Sequence, residues 1–393
     1  MYLRAPALLV VAACSAGLLI AEGCEGVVGI DERHLARSDA SVGADASTAD
    51  AAVDAGPTPT DAGPTRTDAG LPPTDGGLPP TCHATPLGIT FAEVVNRVTV
   101  AMSQHIAEAG AMTMPSDADR DVFAAQVLVA LTFNSTEMCP LPPSYRVFAL
   151  EDQGDDILVV AELDAIGNAA PRVFYGTYAA RRHRARVTRD LVVQAPHPLA
   201  DTNTEDEAAA LFSSARAEIF MMAGTHRCAS SKTSGCDGTT DVCSAGTAAP
   251  FRETDAAHST KNPFWGVHAA LSQARPSPFV QVHTNDASCP DALLSDGSGT
   301  FSDAGPTANL AAALEQAGTV VGRCGAGYPT TTCKLCAIDN VEARFTAGAS
   351  EAAACTKMGT TYGRLVHIEQ KPRLRANPMP LFNAIKAAFP PSP

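Results

Sequence analysis

The chain has 393 residues, 45% hydrophobic, 5% aromatic and 18% charged, and its 28 Lys plus Arg against 42 Asp plus Glu give a formal net charge of −14. That apolar content excludes a wholly disordered chain, and the lack of a Gly period excludes a collagen-like one. The acidity argues against a nucleic-acid partner held through phosphates, and a single apolar run near spanning length excludes a polytopic membrane protein.

That run lies at the N-terminus. Arg4 is followed by an uncharged stretch from Ala5 to Ala21, then Glu22 and Gly23 before Cys24. A basic residue, an apolar stretch and small residues at a cut site form an export signal, here residues 1–24. The run is short for a membrane span of roughly 20 residues. Cys24 after this stretch resembles the lipobox of bacterial lipoproteins, and Val11-Ala12-Ala13-Cys14 offers a second processing site. The resemblance implies a lipidated Cys24 and a membrane partner engaged through the lipid anchor, acyl chains binding through their buried CH₂ groups.

Residues 25–81 read as a tether. From position 38 the segment is almost entirely Ala, Asp, Gly, Pro, Ser and Thr, with a seven-residue repeat opening at Asp54, Asp61, Asp68 and Asp75. Too few apolar groups are present to offset the entropy of ordering, so a disordered region is expected. Pro-rich chain extends by at most ~3.1 Å per residue, so about 40 residues reach ~120 Å. An exported protein standing off a cell envelope is the expected setting.

Ten of the 12 cysteines follow the tether, beginning with Cys82. An even number in an exported chain favours disulfides. Cys333-Lys334-Leu335-Cys336 also has the spacing of a redox or zinc pair.

The globular part divides into residues 82–185 and residues 186–393. In the first, Phe91, Val94, Val95, Val98 and Met102 recur at helical spacing, and a second helix is expected over Asp119 to Leu131. Strands are expected at Arg146 to Leu150, Ile157 to Leu163 and Arg172 to Tyr178, giving a small α+β lobe without evident chemistry. His183 falls in a basic run and reads as solvated.

The second portion alternates. Strands are expected at Leu191 to Ala195, Glu218 to Ala223, Phe279 to His283, Thr319 to Arg323 and Leu365 to Glu369. Helices are expected at Thr204 to Ala215, Asn262 to Ala274, Asn309 to Gln316 and Pro380 to Phe389. This is an α/β pattern with a mostly parallel sheet flanked by helices, whose ligands sit at the carboxyl ends of strands.

Four of those ends carry metal-type chemistry: Pro196-His197 before the helix bearing Glu205 and Glu207, His226-Arg227, His283 with Asn285, and Glu369. A zinc hydrolase needs three His, Glu or Asp ligands, an open position for water and a nearby carboxylate base. His197, His283 and one of Glu205 or Glu207 are candidate ligands, with Glu205 preferred. The two acids point ~200° apart on a helix, so they do not serve together. Glu369 is the candidate base. Both acids also suit a helix start, as capping boxes from Thr202 and Thr204.

This ordered set resembles the zinc-dependent N-acetylmuramoyl-L-alanine amidases of the third type. These belong to a zinc exopeptidase-like group that includes N-formylglutamate amidohydrolases and zinc carboxypeptidases. The resemblance implies Zn²⁺ held by His197, Glu205 or Glu207, and His283, with Glu369 catalytic and His226, Arg227 and Asn285 contacting substrate. It implies a peptide or amide substrate, with cell-wall peptidoglycan or an N-acyl amino acid as examples. Two alternatives come from other classes: a non-catalytic envelope module with this fold, and a redox protein using Cys333 and Cys336.

Overall fold

The computed structural model describes residues 84–391, apart from 106–111, 133–140, 168, 170, 172, 183–187, 286–287, 326–332, 334 and 360–362. The expected signal, tether and lipidation at Cys14 or Cys24 lie outside the described residues, as do Cys82, Cys139 and His183.

In chain order the elements are β1 (Thr85–Pro86), α1 (Phe91–His105), α2 (Asp117–Thr132), β2 (Tyr145–Asp152), β3 (Asp155–Glu162), α3 (Leu163–Ile166), β4 (Thr177–Arg181) and β5 (Arg189–Ala195). Then come α4 (Thr204–Ser214), β6 (Ala217–Met222), β7 (Thr239–Thr240), β8 (Ala249–Pro250), α5 (Pro263–Ala274), β9 (Phe279–Thr284) and β10 (Ala292–Ser295). The last are α6 (Pro306–Gln316), β11 (Val321–Arg323), α7 (Val341–Thr346), β12 (Leu365–Gln370), α8 (Pro372–Ala376) and α9 (Met379–Ala388).

Ten strands form one mixed sheet in the order β1-β2-β3-β4-β6-β5-β9-β12-β10-β11. Its centre, β6-β5-β9-β12, is parallel throughout. The lobe expected over residues 82–185 supplies an antiparallel wing, β2-β3-β4, which joins the centre where β4 pairs antiparallel with β6. The central strands are buried on both faces, which is why they read as continuous apolar runs. Side chains of α1, α4, α6 and α9 cover one face, and those of α2, α5 and α7 cover the other.

Local chemistry sets several boundaries. Pro263 opens α5, and the Asn262 side chain accepts a hydrogen bond from the Phe264 N–H. The strand expected over Arg172 to Tyr178 starts later, at Thr177. The Glu162 carboxylate accepts the backbone N–H groups of Val173 and Phe174, both at 2.9 Å, and so draws that segment out of the ladder. Gly176 follows at φ +107°, where an added Cβ would lie 2.6 Å from the Met222 carbonyl oxygen. Neither expected capping box forms. The residue preceding α4 is Asn203, without a side-chain cap, and the Thr204 hydroxyl donates backwards to the Asp201 carbonyl at 2.8 Å.

Candidate metal centre

On the α2, α5 and α7 side, the apolar surface of the sheet gives way to polar side chains near the carboxyl ends of the central strands. Strand alternation brings Gln194 of β5, Gln281 and His283 of β9, and His367 and Glu369 of β12 to this side, while Val193, Val280, Val282, Val366 and Ile368 belong to the opposite core. Register aligns them: Gln194 pairs with Gln281, His367 with Gln281, and Glu369 with His283. The chain leaves β5 towards β6 on one side and later returns as β9 on the other. This is a switch point of the kind where α/β sheets bind ligands.

His197 follows β5 directly. A tight turn, with the Asp201 N–H donating to the His197 carbonyl at 3.0 Å, places Asp201 back beside the ring. Asp201 Oδ2 lies 3.3 Å from His197 Nδ1 and 2.9 Å from His283 Nδ1. The three donors lie within 4.8 Å of one another, and all three residues are buried. Tetrahedral ligation at bond lengths of ~2.0–2.2 Å separates neighbouring donors by ~3.4 Å, so this spacing suits a cation.

Each imidazole is held from behind. His197 Nε2 lies 2.8 Å from Asp255 Oδ1, and His283 Nε2 lies 3.0 Å from Gln281 Oε1. Each Nδ1 faces Asp201 Oδ2, so all four ring nitrogens meet an oxygen. Burial, outweighing the pull of Asp201, pushes the His283 pKa down to about 4, so the ring is neutral at pH 7 with one proton only. With that proton on Nε2 towards Gln281, Nδ1 and the Asp201 carboxylate would share a cation, and imidazoles with an outer acceptor on the far nitrogen are the usual metal ligands.

Asp255 has no exposed surface. Burial alone would raise its pKa, yet Arg227, His258 and His197 hold it well below the usual carboxylate range. Arg227 binds it through Nε at 2.9 Å and a terminal nitrogen at 2.5 Å. The other terminal nitrogen lies 3.5 Å from His197 Nδ1. His258 Nδ1 donates to Asp255 Oδ1 at 2.9 Å. Burial lowers the His258 pKa, but Asp255 and Asp339 overcome this and raise it to about 9.

Glu369 is 6% exposed, and its Oε2 has no hydrogen-bond partner among the described residues. Burial first, then the charge of Asp201, lift its pKa well above the usual range. His367 Nε2 lies 3.4 Å from Glu369 Oε1, and its Nδ1 lies 3.2 Å from Ser295 Oγ.

The sequence-derived residues therefore divide. His197, His283 and Glu369 come together. Glu205 and Glu207 share no three-donor cluster with them. Asp201 instead lies beside both imidazoles, because the turn after His197 returns its side chain to the ring, whereas both glutamates lie along α4. Both are buried, and burial raises both to about 7. Glu207 Oε2 accepts from Gln370 at 3.1 Å. His226 Nδ1 accepts the Cys228 N–H at 3.0 Å. Asn285 Nδ2 donates to the Pro290 carbonyl at 3.3 Å, and its buried Oδ1 has no partner among the described residues. Asp201, Asp255, Gln281 and His258 were not assigned from sequence. The His197–Asp201 spacing of four was visible there, but the turn that makes it useful was not.

Four disulfides occur among the described residues: Cys228–Cys243, Cys236–Cys355, Cys289–Cys333 and Cys324–Cys336. Cys333 and Cys336 thus bond to different partners and do not form a redox pair with each other.

No family model and no curated protein matches the chain. Among solved structures it is similar to N-formylglutamate amidohydrolase from Ralstonia eutropha, at 13% identity and a TM-score of 0.30 over 52% of this chain and 94% of that one. A mutant of tomato leucine aminopeptidase overlaps at 11% identity and a TM-score of 0.27, over 75% of this chain and 53% of that one. Overlaps at those scores assign neither a family nor an activity.

Proposed function

We propose that the chain is a metal-dependent hydrolase of amide or peptide bonds. His197, Asp201 and His283 would hold the metal, and Glu369 would be the proton-transfer group. One observation carries this reading: two imidazole nitrogens and a carboxylate oxygen converge on one buried point, while both far nitrogens face oxygen acceptors.

The donor set fits a zinc-type cation, two nitrogens and one oxygen leaving a further position open. Such an ion, when bound, supplies Lewis acidity towards a carbonyl and towards water. Glu369 adjoins His283 in strand register, and its unpartnered Oε2 is available to a substrate water. It takes the water's proton and returns it to the departing amine. These are the base and acid halves of general acid–base catalysis. Arg227, fixed by Asp255 through two nitrogens, has a third beside His197 from which to donate to a substrate oxygen.

The setting is part of the same proposal. The signal-like residues 1–24, Cys24 and the Pro-rich repeat support export, lipid anchoring and display from a bacterial envelope. Paired cysteines agree with an oxidising compartment. No described helix is long and apolar enough to cross a membrane. Peptidoglycan peptides and N-acyl amino acids are the first substrates to test.

The test is hydrolysis of a panel of muropeptides, N-formyl and N-acetyl amino acids and dipeptides, with and without a chelator. Release of amine that stops on chelation and returns with Zn²⁺ supports the reading. Chelator-insensitive release, or none across the panel, contradicts it.

A further inference from the structure

We propose that Thr254, the residue before Asp255, is a positioning residue whose hydroxyl fixes the backbone of Arg227, so that two successive residues hold Arg227 at both ends. The proposal rests on the reading above of Arg227 as a donor to a substrate oxygen.

Arg227 lies in the turn after β6, outside any strand or helix, so no ladder places it. Arginine is among the most rotamer-rich side chains, and a third nitrogen keeps one position only when both ends of the residue are held. The head is held by Asp255, which accepts Nε–H at 2.9 Å and a terminal N–H at 2.5 Å. The backbone end is held by Thr254. Its hydroxyl donates to the Arg227 carbonyl at 2.9 Å and accepts the Ser230 N–H at 3.2 Å. Neither role is reversible, because a carbonyl only accepts and a backbone N–H only donates. The hydroxyl therefore closes the turn from Arg227 to Ser230.

Thr254 is itself fixed. Its carbonyl accepts from Asn262 Nδ2 at 3.3 Å, and the Phe264 N–H, donating to Asn262 Oδ1 at 3.0 Å, sets the orientation of that amide. The start of α5 thus anchors the residue that anchors Arg227. Thr254 and Asp255 have no exposed surface, and Ser230 and Asn262 are 1% and 3% exposed. Water has no access there to replace the hydroxyl. Its loss leaves the Arg227 carbonyl and the Ser230 N–H unpaired in the interior unless the turn moves. A moving turn carries the Arg227 backbone with it, and the terminal nitrogen 3.5 Å from His197 Nδ1 leaves its place.

The test is Thr254→Val, which keeps the side-chain shape and removes the hydroxyl, beside Thr254→Ser, which keeps the hydroxyl. Each is made in the wild type and in Arg227→Ala, always as the full chain. Three readouts are taken: kcat/KM for an amide that the wild type hydrolyses, the Zn²⁺ dissociation constant by chelator competition, and hydrogen exchange of the Arg227 Nε–H by ¹⁵N NMR of metal-free protein. Thr254→Val is expected to lower kcat/KM about 10- to 100-fold, as a misplaced orienting group does. It is expected to speed the Nε–H exchange by ~10-fold or more. Zn²⁺ affinity is expected to stay within about twofold, because no ligand bonds to Thr254. Thr254→Ser is expected to restore turnover and slow exchange. In Arg227→Ala, Thr254→Val is expected to change kcat/KM by less than about twofold, since the group it positions is gone.

Unchanged turnover and exchange in Thr254→Val would overturn the proposal, and so would an equal loss with and without the Arg227 side chain. A wild type that hydrolyses nothing on the panel would overturn the function proposed above, and the exchange rates alone would then decide for or against Thr254. Should Thr254→Val not fold, a wild-type Arg227 Nε–H that exchanges as fast as that of an exposed arginine still rejects the proposal.

Discussion

His283 and Glu369 are paired in register on adjacent parallel strands, β9 and β12, so an imidazole and a carboxyl whose Oε2 has no hydrogen-bond partner among the described residues stand side by side. Neither arrangement depends on a loop, because the sheet itself sets the separation. The pairing allows ligation and proton transfer to be separated by mutation. Glu369→Gln is expected to retain metal and lose turnover by ~10²- to 10⁴-fold. Metal content and kcat measured on the same preparation check this, and unchanged kcat would reject Glu369 as the transfer group.

Asp201 and Glu205 make opposite predictions. Asp201→Asn removes a carboxylate that faces both imidazoles and is expected to weaken metal affinity by more than ~100-fold, beyond the usual outer-shell loss. Glu205→Gln is expected to leave affinity within about threefold, since Glu205 belongs to no donor cluster. Titration calorimetry with Zn²⁺ decides between them, and the reverse order would restore the helix glutamate as ligand.

Glu342 predicts a pH dependence of stability. It is fully buried, and burial, outweighing weak hydrogen bonding from its own backbone N–H and from Gln281, raises its pKa from 4.5 to about 8. Below 4.5 folded and unfolded chains both hold the proton. Between 4.5 and 8 only the folded chain does, so stability falls as pH rises through this window. Glu342→Gln is therefore expected to match the wild type near pH 4.5 and exceed it increasingly towards pH 8, by at most on the order of 4 kcal/mol. Urea unfolding at pH 5 and pH 8 measures the difference, and a gain independent of pH would contradict it.

Cys236–Cys355 closes a sequence separation of 119 residues and ties the segment after β6 to the segment after α7. Closing a loop of that length restricts the unfolded chain most, so Cys236→Ser is expected to cost about 2–5 kcal/mol. The Cys228–Cys243 bridge spans 15 residues, and Cys228→Ser is expected to cost less. Denaturant midpoints of the two variants test the order.

The sheet was legible because its strands are apolar runs ending in Gly, Pro or polar residues, and parallel strands buried on both faces leave that signature. Leu191 to Ala195, Phe279 to His283 and Leu365 to Glu369 were all readable as strands, and with them the positions of His197, His283 and Glu369. Two elements lining the site were not read. β10 is four residues long, and α7 is a six-residue helix capped by the Asn340 side chain, both too short to leave a periodic signal. Asp201 was passed over because helix-opening glutamates carry a stronger local signal than an acid in a turn, and only the folded turn after His197 shows which oxygen reaches the rings. Asp255 and Arg227 lie 28 residues apart, a separation that no local pattern joins.

The most direct measurement is the metal content of the purified chain by inductively coupled plasma mass spectrometry, set beside that of His197→Ala and His283→Ala. The account predicts close to one zinc-type ion per chain in the wild type and nearly none in either folded variant. A wild type that holds no ion after incubation with Zn²⁺, or variants that hold as much as the wild type, would contradict it.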